Sequence, residues 1–285
     1  MKKICFVIAS RANYGRIKSV LKEFKKNKIY KTQIVLAASG LLERYGDLRK
    51  ILSSDGFKVD REAFLVVEGE TPLTMTKSTG LAIIELSSIF NDLKPDVVVT
   101  IGDRYETIAT AISASYMNIT LAHIQGGEIT GSIDESVRHS ITKLSHIHFT
   151  STKKSKKNVI LMGEDKRFVF DVGCPSIDNL NIYTNKQNVK NSLNGVGKKI
   201  DLNKNFFLVL FHPVTTEYGM SFKQTESIVS AIDKINSQVI WLWPNIDAGS
   251  DGISKCIRKN REKGNLKQVL FIKNLQVENY NYLLK

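Results

Sequence analysis

Apolar positions in this chain fall into two alternating patterns. Short continuous runs, Ile4–Ala9, Gln33–Ala37, Val97–Ile101, Thr120–Ile124, Ile147–Phe149 and Phe168–Val172, have the length and composition of strands buried on both faces. Between them, apolar residues recur every three or four positions, as at Ile17, Val20, Leu21 and Phe24. That spacing predicts helices to about Lys26, near Asp47–Ser53, and over Thr74–Leu93, Glu106–Met117, Ile133–Leu144 and Ser155–Met162. Phe57–Glu70 is less regular. Strands alternating with helices imply a parallel sheet covered on both faces.

The periodicity fades between Asp178 and Asn205, which reads as a connection between domains. It resumes with strands at Phe206–Phe211, Gln238–Trp243 and Val269–Ile272, a helix at Glu226–Ile235 and the opening of another at Val277–Lys285. The expected organisation is α/β, with an N-terminal Rossmann-like domain over 1–182 and a second over 183–285. About three strands in the second fall short of the ~5–6 of a doubly wound sheet, so it reads as incomplete.

Composition narrows the function classes. Over 285 residues, 42% are hydrophobic and 24% charged, an ordinary globular balance with room for two domains. The net charge of +13 raises nucleic acid as a partner, but the densest cationic run, Lys153–Lys157, is short and carries no aromatics for base stacking. It reads as a solvated helix start; the positive field suits a small anionic substrate instead. Cys5, Cys174 and Cys256 show no ligand or disulfide spacing and are expected as reduced thiols of a cytoplasmic protein. The run Ile4–Ala9 is too short for a signal peptide, and no segment approaches the ~20 apolar residues of a membrane span.

No Gly-rich dinucleotide fingerprint follows the first strand and no P-loop occurs, so NAD and ATP are poorly supported. The chemistry concentrates at Ile101–His139, where two apolar strands end in polar loops. Gly102-Asp103-Arg104 follows the first. Asp103 at the sheet's carboxyl edge could exchange protons, or could brace the loop against Arg104. Gln125-Gly126-Gly127-Glu128 follows the second, with glycines that permit close backbone approach to a ligand and a Glu128 that could be acid, base or solvent-facing. The next helix carries a capping box, Ser132 with Glu135, and an i, i+4 pair, Asp134 with Arg138. Arg11 and Arg16 beside the first strand suit a diphosphate as well as they suit open surface. His146 and His148 lack a third partner for a metal and read as sheet histidines. His212 and Asn245 follow neighbouring strands of the second domain, where they could meet a phosphate, a base or a ribose, or only local backbone.

Six segments, SRANYGR (10–16), GDRYE (102–106), HIQGGEITGSIDESVRHSITKLSH (123–146), GCPSIDNL (173–180), HPVTTE (212–217) and WPNIDAG (243–249), together resemble the hydrolysing UDP-N-acetylglucosamine 2-epimerases, the branch feeding sialic-acid-type synthesis. The resemblance implies a glycosyltransferase-B-type fold of two Rossmann-like domains with the nucleotide sugar held in the cleft between them, no metal or redox cofactor, and a tendency to form homodimers. It implies removal of the C2 proton with loss of UDP, then addition of water to give a free N-acetylmannosamine-type sugar. Asp103, Asp134 and Arg138 match catalytic positions, His212 a catalytic or nucleotide-contacting one, and Arg11, Ala12, Arg16, Arg104, Asn245 and Leu275 nucleotide contacts. Two departures stand out. Gln125 replaces a catalytic Glu of many relatives, which shifts proton transfer towards Glu128 or Asp103. Relatives also continue beyond the segment matching Val277–Lys285 into a Gly-Asn-Ser-Ser loop that holds the diphosphate, so an inactive remnant is the competing expectation, with a glycosyltransferase third.

Overall fold

The computed structural model describes residues 1–181 and 185–285, and the chain divides into two compact units. The first comprises 1–68 and 73–179. In chain order it runs β1 (Lys2–Ile8), α1 (Arg11–Lys26), β2 (Tyr30–Ala37), α2 (Leu48–Ser54), β3 (Arg61–Ala63), α3 (Pro72–Leu93), β4 (Val97–Ile101), α4 (Tyr105–Tyr116), β5 (Thr120–Ile124), α5 (Ile133–Leu144), β6 (Ile147–Thr150), α6 (Lys153–Leu161), β7 (Val169–Asp171) and α7 (Pro175–Asp178). Its seven strands form one parallel sheet in the order β3-β2-β1-β4-β5-β6-β7.

The continuous apolar strands are explained by two cores, one on each face of the sheet. Successive side chains of a strand point to opposite faces. Along β1, Cys5 and Val7 enter a core with Leu86 and Phe90 of α3, Ala109 of α4 and Ile141 of α5. Ile4, Phe6 and Ile8 enter the other with Tyr14, Ile17 and Leu21 of α1 and Leu48 and Leu52 of α2.

The second unit comprises 69–72 and 180–285. It contains α8 (Lys186–Ser192), β8 (Val196–Gly197), β9 (Phe206–Leu210), α9 (Ser221–Asp233), β10 (Gln238–Leu242), α10 (Ser250–Glu262), β11 (Val269–Ile272) and α11 (Val277–Leu284). Its sheet runs β8-β11-β10-β9, parallel except for β8. Trp241, Ile253, Cys256 and Phe271 anchor the core on one face, and Val189, Ile240, Leu270 and Leu283 the core on the other.

Several elements differ from the periodicity, among them α10, a helix over Ser250–Glu262 that the pattern above does not include. Arg61–Ala63 is a parallel edge strand within the irregular stretch, and its short charged sequence hides it. The stretch read as a connection contains α8 and β8. Glycines mark β8 because the backbone of β11 lies against it: a Cβ on Gly195 would stand 2.1 Å from the Phe271 carbonyl oxygen, and one on Gly197 2.2 Å from that of Val269. α9 starts at Ser221 rather than Glu226, since Ser221 and Thr225 are buried and hydrogen-bonded: the Ser221 hydroxyl donates to the Gly249 carbonyl at 2.8 Å, and Thr225 donates to the Ser221 carbonyl at 2.6 Å. The expected boundary between 182 and 183 lies outside the described residues. Among the described residues no helix is long and apolar enough to cross a membrane.

Candidate active site

In the first unit the order of strands reverses between β1 and β4, and open parallel sheets bind ligands at the carboxyl ends of strands flanking such a point. The loop after β1 is fixed by side-chain caps. Ser10 accepts from the Asn13 amide, while buried Asn13 accepts from the Ala9 amide at 3.3 Å and donates to the Ile101 carbonyl at 3.4 Å. Asn13 thereby joins the end of β1 to the end of β4. Arg11 and Arg16 are half-buried on α1 and Ala12 is exposed. Burial lowers the pKa of both arginines, an effect that Glu128 and Cys174 partly oppose at Arg16.

β4 is followed by Gly102, at φ +82°, and the chain turns there to present Asp103. Asp103 does not brace against its neighbour Arg104. It forms an ion pair with Nη2 of Arg138, whose side chain is 3% exposed. Arg104 instead donates to Glu106 in the first turn of α4 at 2.7 Å. Arg138 also donates to the Glu128 carbonyl at 2.6 Å and to the Thr130 hydroxyl at 3.4 Å. One guanidinium therefore joins the loops after β4 and β5. Burial, and then the charge of Arg16, lower its pKa. Asp134 lies one turn earlier on α5 and is exposed; Glu128 is half-buried.

Gln125 is 7% exposed and adopts φ +68°, a left-handed conformation costly for a residue with a Cβ. Its carbonyl oxygen accepts from Arg16 at 3.2 Å and its amide donates to Cys174 Sγ at 3.2 Å. Cys174 precedes α7, and Asn179 just beyond that helix donates to the Gly15 carbonyl at 2.5 Å. The segments 10–16, 102–106, 123–146 and 173–180 thus share hydrogen bonds within one unit.

Two expectations about these loops are corrected. The glycine pair admits the protein's own helices rather than a ligand. A Cβ on Gly127 would sit 2.3 Å from the Ser155 carbonyl oxygen of α6, and one on Gly126 2.9 Å from the Thr142 hydroxyl of α5. The capping box does not form: Ser132 makes no side-chain cap, and Glu135 accepts from the amides of Thr130 and Gly131, each at 2.6 Å. Gly131, at φ +70°, turns those amides towards α5, so the carboxylate closes the loop and its pKa falls.

The histidines of the sheet differ in environment. His148 is 1% exposed with Nε2 3.3 Å from Glu164, whereas His146 is exposed and accepts from the Leu121 amide. His123, which nothing in the loops marks, is fully buried; its Nε2 lies 2.9 Å from the Gly102 carbonyl and its Nδ1 3.2 Å from the Thr142 hydroxyl. Burial depresses its pKa to about 4. His123, Asn13 and Cys174 were not singled out as site residues. The available signal was a polar side chain at or near the end of an apolar strand.

In the second unit, His212 follows β9 and is exposed. The Asn245 side chain braces its own loop, donating to Asp247 at 2.5 Å and accepting from the Asp247 amide at 3.1 Å and the Ser250 hydroxyl at 3.4 Å. Leu275 is half-buried and packs against the core that contains Ile240 and Leu242.

Gly127→Ala is expected to destabilise the protein by about 2–3 kcal/mol, since strain at positive φ adds to a clash with backbone. Gly131→Ala, at φ +70° with no neighbour within 4 Å, should cost about 1–2 kcal/mol. Urea titration of both variants checks the order, and equal costs would contradict the packing of Gly127 on α6. Stability should also depend on pH through His123. A histidine with a depressed folded pKa binds more protons when unfolded, so its contribution is full above about pH 6.5 and is lost as pH falls towards about 4. The loss is on the order of 3 kcal/mol. Comparing wild type with His123→Gln by denaturation from pH 7 to 4.5 isolates it, because the glutamine variant should lack that slope.

The chain matches the family model described as UDP-N-acetylglucosamine 2-epimerase over residues 22–285. It is 34% identical over 260 residues to the UDP-N,N'-diacetylbacillosamine 2-epimerase (hydrolyzing) of Legionella pneumophila, covering 91% of this chain and 68% of that protein. It is 32% identical over 289 residues to the GDP/UDP-N,N'-diacetylbacillosamine 2-epimerase (hydrolyzing) of Campylobacter jejuni, covering 100% of this chain and 73% of that one. Among solved structures, the UDP-GlcNAc 2-epimerase of Neisseria meningitidis bound to UDP-GlcNAc superposes with a TM-score of 0.77 at 21% identity, over 99% of this chain and 75% of that one. That likeness shows the fold, an α/β architecture of glycosyltransferase-B type. With its seven-stranded parallel sheet and a family match over most of its length, the chain belongs to the UDP-N-acetylglucosamine 2-epimerase family.

Proposed function

We propose that the protein is a hydrolysing 2-epimerase acting on a nucleoside diphosphate linked to a 2-acetamido sugar, with UDP-N-acetylglucosamine and its diacetamido analogues as the substrate class. The reading rests on one observation: at the switch point of the sheet, in a chain of this family, Arg138 holds the Asp103 carboxylate against the loop that carries Glu128. Ion pairing favours the charged form of a carboxylate, the form that can accept a proton. Asp103 is therefore assigned as the base that takes the C2 proton while the C1–oxygen bond to the diphosphate breaks. The resulting 2-acetamidoglucal gains hydroxide at C1 and a proton at C2 from the opposite face, so water is consumed and UDP and the free 2-epimer are released. Asp134 and Glu128 are the candidate proton donors.

Arg11, Arg16 and Arg104 carry the positive charge that a diphosphate requires, with Ala12 beside them at the start of α1. Gln125 cannot exchange a proton as a carboxylate does; it serves by fixing Arg16 through its carbonyl oxygen. His212 is the candidate nucleotide contact in the second unit. Asn245, held by the hydrogen bonds of its own loop, and Leu275 are further candidate nucleotide contacts in that unit. The buried or half-buried free thiols Cys5, Cys174 and Cys256 favour a reducing cytoplasm. An N-acetylmannosamine-type product would serve synthesis of sialic-acid-type sugars.

Incubation with UDP-N-acetylglucosamine or UDP-N,N'-diacetylbacillosamine in deuterium oxide should release UDP and a free sugar of inverted C2 configuration with deuterium at C2. Asp103→Asn should lower kcat by about 10²–10⁴-fold. Release of UDP with C2 unlabelled and uninverted would contradict the proposal.

A further inference from the structure

His123 lies outside the groups assigned to the reaction, yet it is hydrogen-bonded to both of the elements that carry them. Its imidazole is completely buried one residue before the end of β5. The Gly102 carbonyl, 2.9 Å from Nε2, can only accept, so Nε2 carries the proton. Nδ1 is then the acceptor, and the Thr142 hydroxyl at 3.2 Å donates to it. Gly102 precedes Asp103, and its own amide donates to the Ile124 carbonyl at 3.1 Å. Both polar groups of Gly102, a residue already set at φ +82°, are thereby fixed. Thr142 stands one helical turn beyond Arg138 on α5. The contact has been given room by the chain itself: a Cβ on Gly126 would come within 3.1 Å of His123 Nδ1 and 2.9 Å of the Thr142 hydroxyl.

We propose that His123 is a positioning residue of the reaction, a neutral Nε2–H imidazole that sets the spacing between the Asp103 loop and the Arg138 helix. Asp103 needs a fixed place relative to C2 of the sugar, and small misplacements of a reacting group cost rate rather than affinity. The proposal rests on the 2-epimerase reading for its kinetic arm. Its structural arm does not. The titratable groups around the ring, His148 on β6 and His139 on α5, both disfavour its protonated form.

Histidine-labelled ¹⁵N NMR should show His123 as the Nε2–H tautomer, unchanged between about pH 5.5 and 8, a range in which an ordinary histidine titrates. His123→Leu should lower kcat by about 10–100-fold with KM nearly unchanged. His123→Gln, whose amide can donate to the Gly102 carbonyl from near the Nε2 position, should recover most of that loss. If the leucine variant does not fold, the glutamine variant and Thr142→Val carry the kinetic test, the latter losing kcat and not KM. An Nδ1–H tautomer, titration within that range, or a kcat insensitive to these changes would overturn the proposal. Wild-type protein that shows the expected tautomer but releases no UDP would instead overturn the 2-epimerase reading.

Discussion

The organisation of the first unit turns on the Arg138 guanidinium. It is almost fully buried, and a charge in that position is tolerated only when it is paired and its donors are used. Asp103 supplies the charge, and the Glu128 carbonyl and Thr130 hydroxyl take further donors. Removing one partner of such a pair typically costs about 3–5 kcal/mol, because the other charge is left buried. Several neighbouring features serve this contact. Gly102 turns Asp103 into place, Glu135 closes the 130–131 loop, and Gly127 lets the loop after β5 seat on α6.

Arg16 presents the complementary problem. A half-buried guanidinium beside Gln125 receives a hydrogen bond acceptor but no formal charge from it. Where a glutamate would neutralise Arg16, the amide leaves its positive charge available to an anion. The left-handed φ of Gln125 places this side chain between Arg16 and Cys174.

Much of the fold was legible because strands buried on both faces are continuous apolar runs, and α5 was read at the bounds it adopts, Ile133–Leu144. Of the elements missed, α10 has an apolar face made only of Ile253, Cys256 and Ile257 among polar and charged residues, and others depend on distant backbone. β3 is a three-residue edge, β8 depends on glycines lying against β11, and the first turn of α9 is held by Gly249. At the candidate site, Asp103 could be nominated from its place at a strand end and Arg138 from the family resemblance, but their partnership could not. Local spacing offered Arg104 to Asp103 and Asp134 to Arg138, and the ion pair between Asp103 and Arg138 is made across 35 residues. The glycine pair misled for a similar reason. Sequence shows that backbone must approach something closely, and only the fold shows that it is Ser155 and Thr142.

The proposed chemistry requires Asp103 and Arg138 to act as one unit in the reaction. A double-mutant cycle on kcat/KM with Asp103→Asn and Arg138→Met, run on the nucleotide sugar the wild-type protein turns over, measures this directly. Residues acting together are strongly non-additive. The double variant is expected to be little worse than the more damaging single one, with a coupling of about 2 kcal/mol or more. Losses that add to within about 0.5 kcal/mol would show two independent residues and contradict that chemistry.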